Sequence, residues 1–296
     1  MRKSQNTLCL IFAVVDDFCK HLKRIRHKKG PKYKFSRNQI LKMMILKNLL
    51  GITSDRSFIR FLRNFGRGLF RKIPDHSVFN RRSKDLLSLF EAFRRFLLTK
   101  LQVEGDSIRL IDSTPVPVVR YRRGEDRLAK SFERATFGYC ATQDEKYFGF
   151  KLHLLTTSTG LPTHFDITEA SLPDVKMLEE LTSSFNKLII IGDKGYQDLD
   201  LKDKLLTENK LMITPDKKNQ KRQLNNQAKK QLLKFRKRIE ITINQLKDQF
   251  NLAKLRAKNL LGLVVRIMGV ILTMTLAVFV NRHLGRPDFK IKELLL

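Results

Sequence analysis

Tryptophan is absent, cysteine occurs three times, and acids are scarce: 29 Asp plus Glu against 59 Lys plus Arg in 296 residues. Cys9, Cys19 and Cys140 form an odd set without a C-x-x-C pair. That excludes a disulfide framework and a thiol-rich zinc module, and it suits a reducing cytoplasm. The longest apolar stretch, 260–280, is broken by Arg266, which leaves 14 residues from Ile267 to Val280. A membrane span needs about 20, so this stretch is expected to be the buried helix of a large domain, with no membrane as partner. A secretion signal is likewise not expected. The run Leu8–Val15 meets Asp16 and Asp17 where small residues would be needed, and its apolar positions mark one face of an amphipathic helix.

What is abundant is positive charge and core-forming residues. A formal charge of +30 beside 42% hydrophobic residues and 21 Phe excludes a disordered basic tail. It calls for an anionic partner, nucleic acid first and a membrane surface second. Residues 1–104 hold 25 Lys and Arg against 7 acids and are expected to be helical: one helix capped by Ser36 and stopped at Gly51, one over Asp55–Asn64 closed by Gly66, and one from about Asp75 to Lys100. The one-signed charge favours a helical DNA-binding domain over a solvated bundle face.

From residue 105 the pattern changes to short strands between helices. Ser107–Ile111 ends at Asp112, Phe148–Thr157 and Leu161–Thr168 form a hairpin about Thr159-Gly160, and Leu188–Ile191 has the character of a central strand. Lys210–Thr214 is a further strand before Pro215, and helices are expected over Pro173–Ser184, Leu199–Leu206 and Leu224–Phe250. The expected fold class is α/β, with a mixed sheet over 105–296 that includes the C-terminal buried helix.

Two acids stand out by position. Asp112 and Asp193 each follow a buried run, at the rim of the sheet where ligands collect; either could equally cap the turn that follows. A third, Glu240, lies on a helix whose upstream half, Lys217–Arg238, has ten basic residues and no acid. Arg236 and Lys247 share a helical face with it. Three carboxylates can hold two Mg²⁺ ions, which activate a water or a 3′-hydroxyl. Asp174 is a candidate outer partner of such ions, and His153 is expected to be packed. Arg120, Arg122 and Arg123, just after the first Asp, are placed to draw in DNA phosphates, and Lys194, next to Asp193, joins them as a nucleic-acid-binding candidate.

These residues carry a resemblance. LLGITSDRSFIRFLRNFG, IPDHSVFNRR, IDSTPVPV, ATFGYCATQDEKYFGFKLHLLTTSTGLPTHFDITEAS and IGDKGY resemble bacterial insertion-sequence transposases of the DDE type, over about residues 35–265. Arg236, Glu240 and Lys247 match that family's Y-x-x-R-x-x-x-E-x-x-x-x-x-x-K signature, with Leu233 at the Tyr position. The resemblance implies an RNase H-like catalytic domain with Asp112, Asp193 and Glu240 as catalytic residues and metal ligands. It implies two Mg²⁺ ions, with Mn²⁺ able to replace them, and cleavage and strand transfer of an insertion sequence. Transposon-end DNA, target DNA and at least a homodimer are the implied partners, in the cytoplasm at the nucleoid. A non-catalytic nucleic-acid-binding protein and an RNase H-like nuclease without strand transfer are the rival readings.

Overall fold

A computed structural model of the chain describes residues 2–22, 33–66, 68–119, 130–140, 144–216 and 225–294. Contacts group the chain into two compact units, Met1–Leu101 with Asp248–Leu296, and Gln102–Lys247.

The first unit opens with α1 (Arg2–Lys20), α2 (Arg37–Leu49), α3 (Asp55–Phe65), α4 (His76–Asp85) and α5 (Leu87–Lys100). Ser36 and Ser54 cap α2 and α3 by accepting from Gln39 and Ser57 N–H, which satisfies amides the helices leave open. Gly66 closes α3. The single helix expected over 75–100 is two helices, broken at Leu86. Ser83 Oγ donates to the Phe79 carbonyl at 2.8 Å, a back-bond that bends helices, and Leu86 leaves helical geometry at φ −105°. Phe58, Phe79, Phe90 and Phe93 are fully buried.

The second unit contains β1 (Ile108–Val119), β2 (Thr136–Cys140), β3 (Glu145–Thr157), β4 (Pro162–Glu169), α6 (Leu178–Thr182), β5 (Leu188–Ile191), α7 (Leu199–Thr207), β6 (Lys210–Ile213) and α8 (Asn226–Asp248). One edge of β3 pairs with β1. Its other edge pairs first with β2 and then with β4, all antiparallel. β5 and β6 extend the sheet on the far side of β1 as parallel strands. This mixed sheet flanked by helices is the α/β arrangement expected from the sequence. The helix expected over 173–184 is a 3-10 turn, Asp174–Met177, followed by the five-residue α6.

Asp112 does not end its strand, as the apolar run alone predicts. β1 continues to Val119 because β3 accompanies it throughout. What stops after Leu110 is the parallel pairing with β5, so the edge of β1 opens beside Asp112. Pro115 and Pro117, which lack an N–H, fall in this open part, where no ladder bond is lost. On the other side of the sheet, Gly160 at φ +94° turns the β3–β4 hairpin, and a Cβ there would lie 2.6 Å from Thr242 Oγ1. Thr242 Oγ1 donates to the Gly160 carbonyl at 2.8 Å, and Arg238 donates to the Thr159 carbonyl. The hairpin turn thereby fixes the rotation of α8.

The final helix, α9 (Leu260–His283), falls in the same compact unit as α1–α5. It packs on α5 and α2, with Gly269 against the Met44 side chain. Thr273 and Thr275 donate to carbonyls of their own helix, Gly269 and Ile271, which makes a helix that is apolar all round tolerable in a core. It is long and apolar enough to cross a membrane, and 83% of its most apolar window is buried inside this unit.

Candidate active site

The parallel ladder of β1 and β5 ends with Leu110 opposite Ile191. Asp112 and Asp193 each lie two residues beyond that rung, so adjacent strands carry the two acids to the same level of the rim. Asp193 starts a 3-10 turn and accepts the Gly195 N–H at 2.8 Å. Asp112 accepts the Ser113 N–H at 2.7 Å. Both acids therefore do serve as local turn acceptors, each through one oxygen.

They line a cleft of about 620 Å³ together with Asp174, Glu240, Lys151, Tyr147, Arg236 and Lys247. On α8 the residues Arg236, Glu240, Asn244 and Lys247 line the cleft, while Ile239, Thr242 and Leu246 are buried, the division that helical periodicity dictates. Cations are interleaved with the acids. Arg236 lies 3.6 Å from Glu240, and Lys151 Nζ donates to Asp174 at 2.9 Å and to the Leu172 carbonyl at 2.8 Å. Ser113 Oγ also donates to Asp174, at 2.9 Å.

Burial pushes the Asp112 carboxyl up to about 7. The Ser113 N–H opposes the rise, and the charges of Asp193, Asp174 and Glu240 add to it. Burial, with the Asp174 charge after it, raises the Tyr147 and Tyr196 hydroxyls. His153 is fully buried with Nε2 at 2.7 Å from Thr168 Oγ1, and burial lowers it to about 4. It is a packed strand residue, not a base in the cleft.

The family described as Transposase DDE domain matches residues 104–276. The chain belongs to that family. Its fold is also similar to a chain in a cryo-EM structure titled as a piggyBac transposase synaptic complex with hairpin DNA, with a TM-score of 0.48 and 11% identity, covering 100% of this chain and 79% of the other. No curated protein matches the chain.

The DDE domain's acids fit a hard divalent cation in kind, since all four cleft acids are carboxylates. Among the described residues no three His, Cys, Asp or Glu side chains converge closely enough to hold an ion as they stand. Asp174 and Glu240 are instead turned to Lys151 and Arg236, cations that offset the same charge a metal would. Burial first, and the neighbouring acids after it, hold Asp112 high, and a divalent ion beside it would oppose that rise.

Of the sequence candidates, Asp112, Asp193, Glu240, Arg236 and Lys247 are brought to this one cleft. Lys194 is exposed beside it, in the turn after Asp193. Arg120, Arg122 and Arg123 lie outside the described residues. Asp174 enters the cleft wall with hydrogen bonds that its sequence position, after Pro173, does not disclose. Lys151 and Tyr147 were not singled out by sequence reasoning. The sequence signal for Lys151 is that it is the one Lys or Arg in the largely apolar run YFGFKLHLL. The buried Tyr147 hydroxyl has no hydrogen-bond partner among the described residues.

Proposed function

We propose that this chain is a transposase that cleaves DNA at the ends of an insertion sequence and joins the freed 3′ ends to target DNA. The observation that carries the reading is the placement of Asp112 and Asp193 two residues past the last rung of adjacent parallel strands, with Glu240 on the same cleft. Asp112, Asp193 and Glu240 would hold two Mg²⁺ ions, or Mn²⁺, which supply Lewis-acid activation of the attacking hydroxyl and stabilisation of the leaving oxygen.

The chain's own residues do the remaining work. Arg236 and Lys247 grip phosphates on either side of Glu240, and exposed Lys194 adds a further backbone contact. Arg120, Arg122 and Arg123 are assigned further phosphate contacts on the strength of their charge and their place in the sequence just after β1. Asp174 acts as a positioning residue, fixing Ser113 and with it the backbone of the Asp112 segment. Lys151 holds Asp174 and keeps the cleft from expelling its own acids. The net charge of +30 draws in two DNA duplexes, and joining two ends calls for at least a homodimer, working in the cytoplasm at the nucleoid. The helical unit, including α9, serves as a DNA-binding unit.

The test is purified chain, Mg²⁺ and DNA carrying the element's own ends. Cleaved and then joined products are expected with wild type and neither with Asp193→Asn. Cleavage without joining would reduce the reading to a nuclease, and equal cleavage by Asp193→Asn would overturn the site.

A further inference from the structure

The helical unit holds a second large cavity, of about 660 Å³, whose lining includes Arg56, Lys84, Arg256, Lys258 and Arg266. One acid is present, Asp55, and it is already taken. Lys47 lies 2.5 Å from one of its oxygens and Arg266 2.7 Å from the other, which also accepts from Asn80 at 2.8 Å. Arg266, the cation that interrupts the apolar run of α9, additionally donates to the Thr53 and Leu255 carbonyls at 2.7 and 2.9 Å. It ties the start of α3 to the start of α9 and so fixes the cavity wall.

Four other cations line the cavity: Arg56, Arg256 and Lys258, all exposed, and half-buried Lys84. Lys84 donates to the Asn259 side chain over a long 3.5 Å. Arg256 is held at a left-handed φ of 52°. Backbone donors add to the charge. His76 and Ser77 of the first turn of α4 line the cavity, and the N-cap residue Asp75 makes no capping bond to that turn because it takes Arg63 at 2.7 Å. Open amides at a ten-residue helix's positive end favour an anion.

We propose that this cavity is a phosphate-binding site that holds a backbone phosphate of the element DNA. The ligand class follows from the lining: a dense cluster of cations with backbone N–H donors suits a phosphodiester, and the chain's charge suits a polyanion that carries many. The identity of that polyanion as DNA rests on the function proposed above.

The experiment compares full-length wild type, the variant Lys84→Gln/Arg256→Gln/Lys258→Gln, and a charge-matched control, Arg60→Gln/Lys72→Gln/Arg81→Gln, whose residues lie outside the cavity. Duplex end DNA is titrated by fluorescence anisotropy across salt, and cleavage is measured at saturating DNA. The cavity variant is expected to bind about 10- to 100-fold more weakly, with the salt slope smaller by one to two units, about 0.9 per lost phosphate contact, and to cut at the wild-type rate once saturated. Equal losses in cavity variant and control would overturn the site, because charge alone would then explain binding. Wild-type affinity in the cavity variant would overturn it as well, even if wild type binds free inorganic phosphate by calorimetry. If the triple variant melts early by circular dichroism, Lys258→Gln alone carries the same comparison. Failure of wild type to bind end DNA at all would instead sink the functional reading, and Asp112→Asn that binds but does not cut would support that reading independently of the cavity.

Discussion

Asp112 of the sheet unit and Asp55 of the helical unit are both drawn out of water, yet their carboxyls move in opposite directions. Asp112 rises to about 7, with three other acids adding to the effect of burial. Asp55 falls below the usual carboxylate range, although burial alone would raise it, because Lys47 and Arg266 lie against it. Burial raises both carboxyls, and the sign of the neighbouring charges decides which way each one ends. The cleft leaves its negative charge unpaid for a cation from outside, whereas the helical unit neutralises its acid internally and leaves positive charge over.

The strongest way to break this contrast is to remove cleft acids one at a time. Asp112→Asn, Asp193→Asn and Glu240→Gln are each expected to lower end cleavage by about 10³-fold or more, the several kcal/mol of charge stabilisation that a lost metal ligand forfeits. Their DNA affinity should stay within a few-fold of wild type, since none supplies positive charge. Cleavage assays with Mg²⁺ beside gel-shift titrations check both halves. A variant that still cuts moves its residue out of the metal site and makes Asp174 the replacement to test.

Next in size is the internal neutralisation around Asp55. Asp55→Ala leaves Lys47, whose side chain is 3% exposed, as a buried cation without its partner, at an expected cost of about 3–5 kcal/mol in chemical denaturation. Lys47→Met should stay within about 1 kcal/mol of wild type, because Asp55 keeps Arg266 and Asn80 while the costly buried ammonium is gone. Burial already depresses Lys47 to about 8, a sign that the charge is tolerated there rather than favoured. Equal costs for the two substitutions would mean that the ion pair, not the carboxylate, holds this region together.

Sequence made the local devices of both units legible and the long-range ones not. The cap of Ser36, the stop at Gly66 and the hairpin at Gly160 rest on a few adjacent residues, whose conformational preferences are written in their types. Asp112, Asp193 and Glu240 could be picked out because each breaks a strong local pattern, an acid after an apolar run or within a basic helix. Asp174, Lys151 and Ser113 meet only through the registers of β1, β3 and the turn after β4, which no spacing announces. The break at Leu86 has no Gly or Pro to mark it. The assignment of α9 to the N-terminal helices follows from tertiary packing, and a hydrophobic run has no means of saying which core it fills.

A smaller effect tests the electrostatics of the cleft without any DNA. The folded-state pKa of Asp112, about 7, lies above the ordinary carboxylate value of 3.8, so the folded protein binds this proton more tightly than the unfolded chain does. The stabilising contribution is complete below the unfolded pKa and is lost as pH rises through about 7. Asp112→Asn in chelator should therefore be more stable than wild type by about 1–3 kcal/mol near pH 8, a value kept below the full shift because the side chain retains contact with solvent. The advantage should shrink on acidification and vanish below about pH 4. A pH-independent difference would assign the effect to packing and not to charge.

The smallest expected effect on stability belongs to Arg236, and it separates folding from binding on a single residue. Its pair with Glu240 is an i,i+4 contact at 3.6 Å on a face where Glu240 is half exposed, 53% by side chain. Such pairs contribute a few tenths of about 1 kcal/mol, so Arg236→Gln should shift the denaturation midpoint hardly at all. If Arg236 instead serves to hold a phosphate beside Glu240, the same substitution should weaken end binding at every salt concentration and reduce the salt slope by about one unit. Leu233, 60% exposed one turn earlier, occupies the position where the family signature has Tyr, and it offers no hydrogen bond to take over. Introducing that Tyr, Leu233→Tyr, is the complementary change: an added hydroxyl beside Arg236 should leave the salt slope unaltered while tightening end binding modestly. Unchanged binding in Arg236→Gln would confine this arginine to its intrahelical pair and shift the phosphate grip of α8 to Lys247.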